Sequence, residues 1–432
     1  MEGWETKRLD QIGDIYSGST PSTTNQDYWD GDIVWVTPND LSSLNTPYLR
    51  TSNKKITKKG LESCSTQLLP AGSITISSRA PIGYVAIPTV EFCTNQGCKS
   101  IKLKSDYDSK FMYYNINFHI DKLKKLGEGT TFAEISKAAI SSIQIPFPKV
   151  KEEQTQVAAI LSTIDKAIEQ TEAIIAKQRR IKTGLMQDLL TRGIDEHGNI
   201  RSEETHKFKD SPLGKIPVEW DTKTFGEIIS LYGGKLQTGP FGSQLHAYEY
   251  VDEGVPVVMP QDIANSGIST SDIARISERK AKELSRHRMA LGDLVFARRG
   301  DLSRCASIGA NEEGWICGTG CLLMRPPRGK LSSQWGREIY RLHTTQLQVG
   351  VQAVGSTMVN LNTNILSSLL IPLPDFEEQR RIEYCLATNE SDRAKLLEKH
   401  RKLRLLKTGL MQDLLTGKVR VTNLLNLDTA AA

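Results

Sequence analysis

The sequence contains no run of the roughly 18 to 20 apolar residues that a membrane helix needs. No apolar stretch follows a basic start either, so neither a spanning helix nor a secretory leader is expected, and the reading is a soluble, cytoplasmic protein. Cysteine is sparse: Cys64, Cys93, Cys98, Cys305, Cys317, Cys321 and Cys385 lack paired CxxC spacing, which excludes a disulfide framework. No second cysteine pair or nearby histidine completes a tetrahedral metal set, and the seven histidines show no HxH or HExxH spacing. The cysteines read as small buried hydrophobes and metal ligands as none. A GxxxxGK[ST] phosphate loop is missing, and Gly127–Gly129 and Gly318–Gly320 lack the third glycine of a dinucleotide fingerprint. An Asp or Asn followed by Pro-Pro-aromatic, as an amino-methyltransferase requires, is absent. The expectation is a chain with no catalytic centre and no cofactor of its own.

Proline is missing from Lys151–Thr191 and from Phe376–Thr416, where Gly184 and Gly409 are the only glycines. Two long helices of roughly 60 Å each are predicted at 1.5 Å per residue. What is present in both is a repeat. TGLMQDLLT occupies Thr183–Thr191 and again Thr408–Thr416. Upstream, GTTFAEISKAAISSIQIPFPKVKEEQ from Gly129 aligns with GSTMVNLNTNILSSLLIPLPDFEEQ from Gly355, and WVTPNDL (Trp35–Leu41) with VVMPQDI (Val257–Ile263). AGSITISSR (Ala71–Arg79) corresponds to LGDLVFARR (Leu291–Arg299), and Trp4 to Trp220. A period of about 220 residues is too long for a solenoid, so a domain-plus-helix unit is duplicated.

The remainder of each unit alternates β-branched and polar residues in short runs broken by Gly, Pro and Asn, predicting mostly β domains with helices at Ser109–Leu126 and Gln334–Val349. The fold class is α+β: two mostly β domains separated by two long antiparallel coiled-coil helices, related by a pseudo-twofold internal repeat. Boundaries fall at 1–150 and 216–375 for the domains, 151–192 and 376–417 for the helices, 193–215 for a polar surface linker and 418–432 for a tail.

The first helix carries Val157, Leu161, Ile164, Ile168, Ile175, Leu185 and Leu189 in 4-3 spacing, with Thr171, Gln178 and Lys182 completing the seam. The second offers Ile382, Leu386, Leu396, Leu403, Leu410 and Leu414, interrupted by Asn389, Arg393, His400 and Lys407. Laid antiparallel with Val157 opposite Leu414, the apolar positions meet: Leu161 with Leu410, Ile168 with Leu403, Ile175 with Leu396, Leu185 with Leu386, Leu189 with Ile382. Thr171 then faces His400, Gln178 faces Arg393 and Lys182 faces Asn389, leaving Ile164 against Lys407 mixed. Each helix is acidic in its first half and basic in its second, which suits antiparallel pairing and is equally what the helix macrodipole favours. The acids of KEEQ and FEEQ are read as first-turn residues favoured by that dipole rather than as a nuclease cluster.

IPFPKVKEEQ and IPLPDFEEQRRI entering long helices, KTGLMQDLLT closing one, and HKFKDSPLGKIPVEW opening the second domain together resemble the specificity subunit of a type I restriction-modification enzyme. The resemblance covers nearly the whole chain. It implies two target-recognition domains, each reading half of an asymmetric bipartite site in double-stranded DNA, with helices that set the gap and dock two methyltransferase subunits. Restriction subunits would join the full complex, and S-adenosylmethionine, ATP and magnesium would belong to the partner subunits. A coiled-coil scaffold with two non-DNA-binding domains is the alternative. The recognition loops differ, YSGSTPSTTNQDYWDGD against YGGKLQTGPFGSQLHAYEYVDEG, so no base preference transfers between them. The mild excess of 55 basic over 50 acidic residues permits a polyanionic partner without requiring one.

Base readout needs Arg or Lys for guanine, Asn or Gln for adenine and hydroxyls for either, projected from loops or strand ends. In domain one the candidates are Ser17, Ser19, Thr20, Thr37, Asn39, Ser77, Ser78, Arg79, Asn95, Gln96 and Lys99. In domain two they are Lys235, Gln237, Ser243, Gln244, Gln261, Arg298, Arg299, Arg304 and Thr319. Arg79 and Arg299 take priority because they occupy corresponding places after a strand, where each can contact bases or phosphate or pair with a carboxylate. Thr130, Thr131, Ser356 and Thr357 follow a glycine and suit either phosphate contact or a turn. The aromatics Tyr16, Tyr28, Trp29, Tyr232, Phe241 and Tyr250 fit packing better than base stacking.

Overall fold

A computed structural model describes residues 3–127, 134–264, 267–353 and 360–424. The chain forms two compact units, Met1–Ile174 with Leu396–Ala432, and Ile175–Lys395. Each long helix contributes one half to each unit: Lys151–Thr191 is the first, and Phe376–Leu414 the second, stopping just short of the expected Thr416. No helix among the described residues is long and apolar enough to cross a membrane.

The first unit opens with Trp4–Arg8 paired antiparallel to Gln144–Pro148, the strand read from IPFP. Prolines are tolerated there because the ladder has only two strands. A five-stranded sheet runs in the order Gly13–Ser17, Cys98–Leu103, Ile74–Ser77, Val85–Pro88, Tyr48–Leu49, beside a three-stranded one of Lys55–Ile56, Trp29–Val36 and Phe92–Thr94. The second unit repeats this plan. Asp221–Thr224 pairs with Leu370–Leu373, one sheet orders Lys235–Thr238, Cys321–Arg325, Leu294–Ala297, Cys305–Ser307, and another orders Tyr250–Val251, Ala274–Ile276, Val255–Val258, Ile316–Cys317. The parallel pairing of Val34–Val36 with Phe92–Thr94 recurs as Val257–Val258 with Ile316–Cys317.

Three expectations change. The helix predicted over Ser109–Leu126 is two, Ser109–Phe118 and Ile120–Gly127, because His119 caps the first by bonding the Asn115 carbonyl through both its backbone N–H and its ring Nδ1. Gln334–Val349 divides likewise into Ser333–Arg341 and His343–Ala353, with Gln346 Nε2 donating to the Tyr340 carbonyl at 2.6 Å. The linker is partly ordered structure rather than plain surface chain: Phe208–Ser211 pairs with Gly214–Pro217, and Ile194 and Arg201 are buried.

The seam shows in the burial rhythm. Between the better buried ends, the less exposed positions of the first helix include Ile164, Ile168, Thr171, Ile175, Gln178, Lys182 and Leu185, and those of the second Arg393, Leu396, His400, Leu403, Lys407 and Leu410. In the first unit Asp165 pairs with Lys407 at 2.6 Å and Glu172 with His400 at 2.8 Å, each one position from the facing pairs Ile164–Lys407 and Thr171–His400. Val157, Leu161 and Leu414 enter that unit's apolar core. In the second unit Asn389 donates to Gln178 at 3.3 Å and Lys182 pairs with Glu390, while Leu189 and Ile382 lie in the core with Leu185 and Leu386 packed against it. Descending partners along ascending residues make the pairing antiparallel in both.

The KEEQ and FEEQ acids divide into two roles. Glu152 and Glu377 are exposed first-turn acids, as the dipole argument expects. Glu153 and Glu378 are instead buried anchors. Glu378, with a 1% exposed side chain, accepts from Arg201 at 2.5 and 3.2 Å, from Trp220 Nε1 at 3.0 Å and from the Ile194 amide at 3.0 Å. Glu153 binds Arg420 through both oxygens, at 2.6 and 2.8 Å. A left-handed glycine abuts each site: a Cβ on Gly193 would come within 2.4 Å of Trp220, and one on Gly417 within 2.8 Å of Trp4. Gln154 and Gln379 complete the motif, donating to Pro148 and Pro374 at 3.0 Å each. Glu378→Gln leaves a buried guanidinium without its counter-charge, so chemical unfolding is expected to show a loss of about 3–5 kcal/mol. Glu377→Gln is expected to cost only about 0.3–1 kcal/mol in the same assay.

Candidate nucleic-acid interface

The sequence candidates of the first unit converge at one end of its five-stranded sheet. Backbone bonds make the junction: Ser19 N–H to Thr94 O at 3.0 Å, Gly18 N–H to Cys98 O at 3.4 Å, and the Ser78 and Arg79 amides to Gly97 O at 2.8 and 3.2 Å. These draw Ser19, Thr20, Asn95, Gln96, Arg79 and Lys99 into one cluster. The approach requires glycine, since a Cβ on Gly18 would stand 2.1 Å from the Asn95 carbonyl oxygen. The second unit repeats the device: Gly239 donates to Cys321 O, Arg298 to Gly320 O at 2.8 Å, and a Cβ on Gly239 would lie 2.0 Å from Gly318 O.

Within the first cluster the Thr20 hydroxyl donates to Gln96 Oε1, and Asn95 Oδ1 accepts from the Gly97 amide at 3.0 Å. Arg79 pairs with Glu134 at 2.9 Å, the carboxylate alternative for that arginine. Lys99 is not a projecting cation: it is 6% exposed, donates to Gln96 O at 3.1 Å and lies 3.4 Å from Glu134. Ser77 and Ser78 are fully buried, Ser77 accepting from the Tyr84 amide, because the strand end turns inward there. Thr37 caps the short helix Pro38–Ser42. Ser17 and Asn39 are exposed.

In the second unit Lys235, Ser243, Gln261 and Arg299 are exposed, with Arg299 at the strand end as its place in the repeat implied. Gln237 is turned inward to the Arg286 carbonyl at 2.6 Å, and Gln244 accepts from the Phe241 amide. Arg304 clamps backbone, donating to Gln261 O at 3.1 Å and pairing with Asp301 at 3.5 Å. Arg298 and Thr319 are half-buried, with Arg298 Nε and Thr319 Oγ1 unpaired among the described residues. Thr130, Thr131, Ser356 and Thr357 lie outside the described residues. Trp29 packs edge-on against Trp35 at 5.1 Å, whereas Phe241 is 56% exposed. Two residues escaped the sequence pattern: Glu134, hidden because an acid is no ordinary phosphate ligand, and Tyr248, which is 83% exposed and stacked on His246.

Burial pushes Cys93 up to about 12 and likewise raises Cys98, Cys305, Cys317 and Cys321, so none of these is a thiolate near neutrality. The described residues contain no cluster of three metal-ligating side chains.

The family model for the type I restriction modification DNA specificity domain matches residues 1–177 and again 217–404, one match on each copy of the repeat. This chain belongs to that family. It is 30% identical over 300 residues to the type I restriction enzyme MjaIX specificity subunit of Methanocaldococcus jannaschii, covering 69% of this chain and 66%, just under two thirds, of that relative. The MjaVIII specificity subunit of the same organism is 23% identical over 98% of this chain and 94% of its own length. In fold the chain is similar to a type I restriction-modification S subunit from M. genitalium (TM-score 0.54, 17% identity, 95% of this chain and 96% of that one). It is also similar to an HsdS subunit from Thermoanaerobacter tengcongensis (TM-score 0.55, 17% identity, 97% and 98%). Both sheet ends lie within the two matched stretches. Gly18→Ala, which forces a side chain against a carbonyl at such an end, is expected to destabilise the first unit by about 1–3 kcal/mol in thermal unfolding. Gly242→Ala, with no atom within 4 Å of the added carbon, is the control for the glycine-to-alanine change itself.

Proposed function

We propose that the chain is the DNA-reading subunit of a type I restriction-modification complex, each unit recognising one half of an asymmetric bipartite site. The observation that carries this is the duplicated sheet end, matched twice by a DNA specificity family and lined differently in its two copies. Arg79 with Gln96 and Thr20, and Arg299 with Lys235, supply donors of the kind that reach guanine and adenine edges or phosphate. The long helices set the half-site gap and dock two methyltransferase subunits in the cytoplasm. The chain contributes no catalytic group: S-adenosylmethionine is held by the methyltransferase subunits, and ATP and magnesium serve the restriction subunits.

Methylome sequencing of cells expressing the chain with its methyltransferase partners tests the reading directly. Methylation confined to one asymmetric bipartite motif is expected, and its absence sinks the proposal. Deleting one heptad from one helix is expected to change the gap or abolish methylation while leaving both half-site sequences intact. Altered half-sites would remove the helices from the role of spacer.

A surface for the partners is suggested by Gly184 and Gly409, corresponding helix-interior glycines with no atom within 4 Å of an added Cβ. Nothing among the described residues offsets their cost of roughly 1 kcal/mol each relative to alanine, whereas a helix packed closely from outside would. Gly184→Ala and Gly409→Ala are expected to stabilise the isolated chain by about 1 kcal/mol each. Calorimetric titration with the methyltransferase subunit is expected to show weakened association for both.

A further inference from the structure

A carboxylate stands at the recognition end of the first unit, between two cations. Glu134 Oε2 meets Arg79 at 2.9 Å and Oε1 lies 3.4 Å from Lys99 Nζ. An acid at a DNA-facing surface is repelled by phosphate unless cations compensate it. Here the three groups sum to one positive charge, so the cluster still attracts a duplex.

The acid is also held in place. Glu134 forms an isolated antiparallel bridge with Arg79, and the next amide, Ile135, donates to Ser78 O at 2.8 Å. Lys99 is 6% exposed, and besides Glu134 its ammonium has the neutral Gln96 carbonyl as its acceptor among the described residues. Swinging Glu134 aside to admit a phosphate would strand a buried charge, which is far costlier than keeping the pair. The side chain nevertheless remains 32% exposed.

An ionised carboxylate only accepts hydrogen bonds. In the major groove it pairs with an amino-bearing edge, cytosine N4 or adenine N6, and is repelled by the carbonyl and N7 acceptors of guanine or the O4 of thymine. We propose that Glu134 is a specificity-determining residue of the first half-site, selecting an amino-bearing edge at one base pair, with Arg79 and Lys99 as its positioning residues. The second unit has the counterpart of the Ile135–Ser78 backbone hydrogen bond, Leu361 N–H to Arg298 O at 3.0 Å, but places Asn360 where Glu134 stands. That amide both donates and accepts, and its Oδ1 is unpaired among the described residues. One scaffold position therefore carries different reading chemistry in the two units.

The proposal rests on the DNA-reading function above, and the test separates the two. Methylomes are compared for the wild type and Glu134→Gln, each in complex with the methyltransferase subunits. The expected result is a loss of roughly tenfold in discrimination at a single base pair of one half-site, with the other half-site and the gap unchanged. A bipartite wild-type motif that Glu134→Gln leaves unaltered overturns the proposal, whereas a wild type with no bipartite motif overturns the function beneath it. An unaltered motif with tighter random-duplex binding and a salt slope steeper by about one assigns the acid to an electrostatic brake and overturns it equally. Should Glu134→Gln abolish methylation, the Lys99→Met/Glu134→Gln double variant removes the stranded charge. Relaxed reading at one base pair then supports the proposal, and a wild-type motif or none overturns it.

Discussion

Each compact unit is organised around a buried glutamate at the start of a long helix. Glu153 and Glu378 occupy the same place in the repeat, and each neutralises an arginine from a segment that follows the other helix, Arg420 or Arg201. A buried carboxylate that accepts charge-assisted bonds through both oxygens fixes direction as well as position, because its lone pairs lie in one plane. In the second unit Trp220 and the left-handed Gly193 are packed around that plane, and in the first the left-handed Gly417 abuts Trp4 in the same way. From there the strand pair Trp4–Arg8 with Gln144–Pro148, or Asp221–Thr224 with Leu370–Leu373, carries the geometry into the recognition domain. The copies are not equal: Trp220 Nε1 donates to Glu378, while Trp4 Nε1 is buried without a hydrogen-bond partner among the described residues.

Above that frame the duplication separates scaffold from reader. Backbone-to-backbone bonds and the Gly18 and Gly239 approaches recur in both units, and they depend on no side-chain identity beyond glycine. The side chains set upon them differ freely: Ser78 against Arg298, Glu134 against Asn360, Lys99 against Leu322. A surface built this way can change its side chains without disturbing its fold.

Periodic features were legible in the sequence and isolated ones were not. Long stretches without proline gave the helices, the 4-3 spacing gave an antiparallel seam, and alternation gave Ile74–Ser77, Val85–Pro88 and Leu294–Ala297 as strands. The break at His119 depends on a side chain satisfying a helix-end carbonyl, a competition that composition does not reveal. Arg201 and Glu378 lie far apart in the chain, so their pairing has no local signature, and Glu153 and Glu378 carried the same first-turn signal as their exposed neighbours. At the recognition end the repeat located Arg79 and Arg299 correctly on strand ends. It could not distinguish the outward face from the inward one at Ser77, Ser78, Lys99 and Gln237, where strand and turn meet and alternation fails.

The seam explains why neither helix is apolar throughout. Leucine at Gln178, Lys182, Asn389 and Arg393 would bury more apolar area, yet an all-apolar seam pairs nearly as well one heptad out of step. Polar residues penalise such slips, because a shifted register sets them against leucine and isoleucine and leaves their hydrogen bonds unmade. In the second unit Asn389 meets Gln178 and Lys182 meets Glu390, while Asn389 Oδ1 and Arg393 Nε remain unpaired among the described residues. The seam therefore gives up some stability for a single alignment. The spacer role proposed for these helices would need that alignment more than the last increment of stability.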